Sequence, residues 1–245
     1  MADRTVYLIT GGNRGIGLHL GILLGQRENI TVITTSRKPS QSMIAVHPTS
    51  QHIEILLDEA DAAISSATLA ERLASEHGIV RLDVVIANAA TSSGFKPILD
   101  TEPDDLLHDF TVNTVGPAKL FRATWPLLEG SPDKKFVLIS SSVGSITGLG
   151  QESFPITAYG VSKAGANWFA RKLSLELKEK GLLVGVVHPG WVKTAMGQGL
   201  ADAVGFPEPP TNVEDSARGV LDQIDQLSLE TSGKFLNFDG TEIPW

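Results

Sequence analysis

Tyr159 and Lys163 stand four residues apart in Ala158-Tyr159-Gly160-Val161-Ser162-Lys163, at the start of a helical run predicted over 156–180. On a helix that spacing puts both side chains on one face, within reach of a shared ligand. A free phenol titrates near ~10 and is a poor acid–base group at neutral pH. An ammonium beside it favours the phenolate and lowers that value. Such a pair can give a proton to a carbonyl oxygen or take one from a hydroxyl. By itself the pair equally fits an ordinary helix residue next to a solvated charge, so its meaning depends on the rest of the chain.

A glycine-rich stretch, Thr10-Gly11-Gly12-Asn13-Arg14-Gly15-Ile16-Gly17, follows the first apolar run. Glycines there let the backbone turn tightly and approach a pyrophosphate lying at a helix N-terminus. The spacing Gly-x-x-x-Gly-x-Gly differs from Gly-x-Gly-x-x-Gly and from a P-loop. After the second run comes Thr35-Ser36-Arg37-Lys38, where a carboxylate would hold the ribose hydroxyls of NAD. Arg37 stands there instead, with Arg14 inside the glycine turn, and two guanidinium groups suit a 2′-phosphate. The cofactor expected is therefore NADP(H). Asp58 ends the third run, placed to accept from an adenine amino group or to cap a helix. Asn88, in Asn88-Ala89-Ala90, can bond backbone or ribose. Asn113 and Gly116 interrupt a helical pattern, which predicts a kink or a bound water. Ser140, Ser141 and Ser142 end the fifth run, and any of them can donate to a substrate oxygen or serve the turn. His188 precedes Pro189-Gly190 and reads as a packed residue rather than a base, with no partner at metal-ligand spacing.

The elements that must position these residues follow from periodicity. Short β-branched runs at 6–9, 31–34, 53–57, 84–87, 136–139 and 184–187 read as strands buried on both faces, with a seventh near 234–236. Helical patterns lie at 15–27, 61–77, 102–128, 156–180 and 213–228. Strand–helix–strand repeats imply an α/β doubly wound parallel sheet. In such sheets ligands sit beyond the carboxyl ends of the strands, where the residues above fall. The Pro- and Gly-rich stretch 197–210 is expected to be a long loop acting as a lid or binding loop, part of a substrate loop over about 190–212. No linker or repeat divides the chain, so one domain over 1–245 is expected.

Composition removes other classes. A net charge of −8 leaves no basic excess to neutralise phosphates, which argues against a nucleic-acid partner. The absence of cysteine excludes disulfides and thiolate chemistry. No signal-peptide pattern precedes the first strand, and no apolar run approaches the ~20 residues that span a bilayer, so a cytosolic protein is expected.

In this order, the glycine turn at 10–17, Asn-Ala-Ala at 88–90, Asn113, Ser141 with Gly144, Tyr159 with Lys163, and Pro-Gly-x-Val-x-Thr at 189–194 resemble the short-chain dehydrogenase/reductase family. The resemblance spans essentially the whole chain. His188-Pro189-Gly190-Trp191-Val192 and Phe238-Asp239-Gly240 further resemble the branch of Sniffer-type carbonyl reductases, C-factor-like proteins and fungal polyketide ketoreductases. The resemblance implies a Rossmann fold of seven parallel strands with helices on both faces. It implies that Ser141 polarises a carbonyl and that Tyr159 is the proton donor in reduction or the base in oxidation. Lys163 would lower the tyrosine's pKa and bond the nicotinamide ribose, and Asn113 would hold a relay water. Gly11, Asn13, Arg14, Gly15, Ile16, Gly17, Arg37, Asp58, Asn88, Pro189, Val192 and Thr194, with Tyr159 and Lys163, would contact the cofactor. Two departures stand out. Ala90 replaces a more usual glycine, and eighteen residues separate Ser141 from Tyr159, the extra ones at 150–154 forming a loop over the cleft.

Phe95, Val143, Phe154, Trp191 and Met196, with Phe206 and Trp245, are the apolar residues expected to face that cleft. They suit a hydrophobic ketone or aldehyde, aromatic or polyketide-like compounds included. The expected function is NADPH-dependent carbonyl reduction; the alternatives are the oxidative direction and a non-enzymatic, NADP-sensing regulator. A regulator would be expected to have lost Ser141, Tyr159 or Lys163, and all three are present. A homodimer or homotetramer is expected through the 156–180 helix, whose Trp168 and Phe169 serve either an interface or the core.

Overall fold

The computed structural model describes residues 4–38, 44–57, 66–151 and 154–245. Seven strands, β1 (Thr5–Ile9), β2 (Ile30–Ser36), β3 (Gln51–Leu56), β4 (Val84–Ala87), β5 (Lys135–Ile139), β6 (Leu183–His188) and β7 (Phe235–Asn237), form one sheet in the order β3-β2-β1-β4-β5-β6-β7. Every pairing is parallel. The order reverses between β1 and β4, which opens a crevice at their carboxyl ends.

Among the described residues seven helices accompany the sheet: α1 (Gly15–Gly25), α2 (Ser66–His77), α3 (Pro103–Phe110), α4 (Gly116–Leu128), α5 (Thr157–Glu176), α6 (Ala195–Ala203) and α7 (Val213–Asp225). The apolar runs supply both faces because successive strand side chains point opposite ways. On β1, Val6 and Leu8 join the core under α2, α4 and α5, whereas Tyr7 and Ile9 join the core under α1 and α7. A side chain as large as Leu8, fully buried, stabilises such a core by about 1.5–3 kcal/mol.

The pattern over 102–128 is not one helix. Glu102 and Asp105 form a reciprocal cap that starts α3, and a π-helical turn over Thr111–Val115 then inserts extra backbone before α4. The β-branched run around Asn113 favours this break, and the turn buries Asn113 and Thr114. The predicted kink is thus a π turn.

The stretch 197–210 is only partly a loop. Thr194 caps α6, its hydroxyl accepting from the Gly197 N–H at 3.2 Å. The helix contains Gly197 and Gly199, two of the three glycines that made the segment look irregular, and Gly199 is there for closeness: a Cβ would lie 2.8 Å from the Phe95 ring. Of the helix predicted over 61–77, Ser66–His77 is described; Asp58 and residues 152–153 lie outside the described residues. Among the described residues no helix is long and apolar enough to cross a membrane.

Candidate active site

The glycine turn joins the end of β1 to α1. Gly11 takes φ 68°, and a Cβ on Gly17 would lie 2.4 Å from the Gly11 carbonyl oxygen, so the turn closes only without side chains there. Asn88 lies at the end of β4. Its amide donates to the Thr10 carbonyl at 2.8 Å, and its backbone N–H donates to the Thr10 hydroxyl at 3.1 Å. Of the two readings of Asn88, the structure therefore shows the backbone one: it fastens β4 to the turn. Thr194 faces the turn from the other side, its methyl 3.4 Å from where a Gly15 Cβ would stand. Pro189 is fixed by the Ser216 hydroxyl, which donates to its carbonyl at 2.6 Å, and Val192 is buried and bridged to Thr211.

This crevice fits the dinucleotide the family implies. The cradle is bare of side chains, it opens at the N-terminus of α1, and Arg14 and Arg37 are exposed beside it with no ion pair among the described residues. Asn13 lies in the same turn, half-buried.

Beyond the turn, Ile16, Ser141 and Tyr159 line a single cleft of about 510 Å³. The three serines at the end of β5 separate by partner. Ser140 is buried and donates to Asn167 of α5, and Ser142 lies in a short 3-10 turn. Ser141 stands in the cleft with Tyr159, where its hydroxyl favours the phenolate. Lys163, one turn further along α5, is buried; its ammonium donates to the Ile139 carbonyl at 2.9 Å and lies 5.5 Å from the centre of the Tyr159 ring.

The electrostatics correct one expectation. The Tyr159 phenol is pushed up, not down: burial disfavours the phenolate, the negative Asp109 adds to that, and only the Ser141 hydroxyl opposes it. Burial also pushes Lys163 down, to about 8. Asn113 uses both amide hydrogens, donating to the Thr91 carbonyl at 2.8 Å and the Ser162 hydroxyl at 2.9 Å, while its oxygen accepts from the Thr91 N–H. A water held by this residue has only oxygens to bind.

The five residues predicted for the substrate side, Phe95, Val143, Phe154, Trp191 and Met196, all line the cleft. Trp191 meets Phe154 at 5.4 Å and 62° on one side and Phe206 at 5.5 Å on the other. Its indole N–H donates to the Gly197 carbonyl at 2.9 Å, tying it to α6. Trp245 does not face the cleft. It stacks on Phe235 at 5.5 Å, because the chain after β7 folds back and its carbonyl accepts from the Thr147 N–H. His188 lines the cleft as a neutral imidazole, held down at about 4 by burial. Gln151, in the 150–154 stretch expected over the cleft, and Leu200, in the expected substrate loop, line it too. Among the described residues no cluster of three metal-ligating side chains occurs.

Residues 5–204 match the family model described as short chain dehydrogenase. A norsolorinic acid ketoreductase of Aspergillus parasiticus is 38% identical over 99% of this chain and 92% of its own length. The structure of NADPH-bound carbonyl reductase from chicken fatty liver superposes with a TM-score of 0.83 at 30% identity, covering 100% of both chains. The carbonyl reductase Sniffer of D. melanogaster gives 0.82 at 27% identity, covering 99% of this chain and 100% of that one. With the glycine turn, the Ser141–Tyr159 pair and Lys163 assembled at one crevice, the chain belongs to the short-chain dehydrogenase family, in the branch of Sniffer-type carbonyl reductases and fungal ketoreductases.

Proposed function

We propose that the protein is an NADPH-dependent ketoreductase that reduces hydrophobic, aromatic or polyketide-like carbonyl compounds, the whole chain acting as one cytosolic Rossmann domain. The observation that carries this reading is the convergence of Ser141 and Tyr159 on an aromatic-walled cleft that also contains Ile16 of the glycine turn. The bound dinucleotide supplies the hydride. A carbonyl oxygen seated between the two hydroxyls accepts from both, which stabilises the charge that develops on it. Tyr159 then delivers its proton to that oxygen. Burial favours the protonated phenol, the form that reduction requires. Lys163 holds ribose hydroxyls beside the tyrosine, and Asn113 keeps the π turn tied to Thr91 and Ser162. Arg14 and Arg37 take the 2′-phosphate, with bidentate geometry open to both.

The relatives support the substrate class: two of the similar proteins are called norsolorinic acid ketoreductases, and the two similar structures described above are carbonyl reductases. Phe154 and Trp191 offer flat apolar faces to a ring system, while Phe206, expected in the cleft, is not among its lining residues and packs against Trp191. NADPH oxidation followed across a panel of ketones tests the reading. Turnover is expected to rise with aromatic area, and turnover confined to small polar carbonyls would overturn it. We further propose a homodimer through α5, where Trp168 is 67% exposed and Val161 and Leu175 are exposed with it. Phe169 is not part of that face; it packs against the core. Sedimentation as a monomer at micromolar concentration would remove the dimer.

A further inference from the structure

After β7 the segment 241–245 doubles back along the strand. The Asn237 N–H donates to the Thr241 carbonyl at 2.8 Å, Leu236 bridges Glu242 in antiparallel sense, and the Ile243 N–H donates to the Phe235 carbonyl at 2.8 Å. Trp245 then stacks on Phe235, whose ring is fully buried, and packs with Ile243 against the core under α2, α4 and α5. The segment is a strap, fixed at its root by the sheet and at its tip by an aromatic stack.

What the strap touches is one wall of the cleft. The stretch from Ser141 to Gln151 supplies Ser141, Ser142, Val143 and Gln151 to the cleft lining. Its inner end is pinned to α5: a Cβ on Gly144 would lie 2.8 Å from the Lys163 backbone, and the Asn167 amide donates to the Gly144 carbonyl at 3.2 Å. Its outer part, 145–151, is held by the strap. Ser145 is buried and its hydroxyl donates to the Pro244 carbonyl at 2.5 Å, while the Thr147 N–H donates to the Trp245 carbonyl at 2.9 Å. Among the described residues, the other hydrogen bonds of 145–151 are short-range: Ser145 to Ser142, Gly148 to Ser145, Leu149 to Ile146 and Gln151 to Gly148. Apolar burial does not hold the segment either, since Ile146 is 73% and Leu149 58% exposed. Short 3-10 turns without an apolar anchor have little stability of their own, so their position depends on the two bonds to the strap.

We propose that the strap is a specificity-determining element of this active site: through Ser145 and Thr147 it fixes the wall that ends at Gln151, and so sets the room for the part of a ketone remote from its carbonyl. The inference rests on the ketone reduction proposed above. Ser145, Pro244 and Trp245 are positioning residues, and none of them lines the cleft. A wall already in place costs a large substrate nothing to order, whereas a released wall must be ordered as that substrate binds. A small ketone fills only the end of the cleft at Ser141 and Tyr159 and draws little on that wall.

The test is ketone affinity in the NADP⁺ complex, where no hydride is available, measured by calorimetry. Trp245→Ala and Ser145→Ala are each expected to weaken a three-ring aromatic ketone such as anthrone about 10-fold, and to change cyclohexanone and NADP⁺ itself less than about twofold. Trp245→Phe, which keeps a stacking ring, should restore the affinity for anthrone. Amide hydrogen exchange of the same complexes should show Thr147 exchanging faster in W245A and S145A, with Gly12 of the glycine turn unchanged. Equal weakening of both ketones, or weakening that tracks a loss of NADP⁺ affinity, overturns the proposal, because the strap would then serve only general stability. Unaltered anthrone binding overturns it as well, as does a wild type that binds no anthrone. Should W245A fail to fold, S145A makes the same comparison with the aromatic stack intact. The affinities are read whether or not any ketone is reduced, so failure of this inference is distinguishable from failure of the assigned reaction.

Discussion

The two sides of the cleft are built by different means. On the dinucleotide side the backbone is stitched to itself: the Thr10 N–H donates to the Ile86 carbonyl at 3.0 Å, the Gly12 N–H to the Thr35 carbonyl at 2.9 Å, and Asn88 closes the gap between β1 and β4. On the substrate side, Phe154, Trp191 and Phe206 meet ring to ring across loops and a short helix. Hydrogen-bonded backbone at van der Waals distance admits few residue types, whereas an apolar wall needs only volume and shape. The first side therefore serves a ligand that is the same throughout the family, and the second can change with the substrate.

This contrast can be broken experimentally. The largest effect belongs to the chemistry where the two sides meet. Tyr159→Phe should reduce turnover by about 10²–10⁴-fold while NADPH, titrated by its fluorescence, still binds; a loss of both together would mean that the phenol belongs to the cofactor side. Next is the dinucleotide side. Replacing Arg14 and Arg37 with alanine should weaken NADPH about 10- to 100-fold and leave NADH nearly unchanged, since charge-assisted contacts from this exposed pair to one phosphate contribute roughly 1.5–3 kcal/mol in all. Equal weakening of both cofactors would refute the 2′-phosphate assignment. On the substrate side, Trp191→Ala should raise KM for aromatic ketones about 10-fold with NADPH affinity unaltered, in keeping with ~1–3 kcal/mol for an apolar subsite. If NADPH affinity falls as well, the separation of the two sides fails.

The smallest effect is on stability. Lys163 is held at about 8 in the folded chain against an ordinary 10.5. Below about pH 8 both states carry the proton and the buried charge counts fully against the fold. Between about 8 and 10.5 the unfolded chain binds more protons, so the lysine's contribution makes stability rise with pH, by up to roughly 1.4 kcal/mol per unit. Tyr159, raised above 10.0, acts in the opposite sense only beyond that value. Denaturant midpoints of the unliganded wild type and Lys163→Met, compared between about pH 8 and pH 10, should diverge with that sign; parallel curves would mean that Lys163 is charged at no cost.

Much of this architecture was legible before any coordinates. Strands buried on both faces produce continuous apolar runs, so all seven were visible and their parallel pairing followed. Tyr159 and Lys163 were legible because helical periodicity is local, and the glycine turn because tight backbone approach demands glycine. The α6 segment misled for a related reason: glycines that accommodate Phe95 look like loop glycines when the partner is unseen. Trp245 misled because an aromatic residue near the end of a chain carries no sign of which surface it will meet, and here that surface is Phe235.

What the order of residues determined by itself was the fold class, the glycine turn and the pairing of Tyr159 with Lys163 on one helix, because each rests on local periodicity or on spacing within one turn. What only the folded molecule decided was the state of those groups. Desolvation depends on everything packed around a side chain, so burial, with Asp109 adding to it, pushes the phenol up where the spacing to Lys163 had pointed down. Spacing alone left Ser140, Ser141 and Ser142 open and the family resemblance pointed to Ser141; the fold adds that the Ser140 hydroxyl is engaged with Asn167.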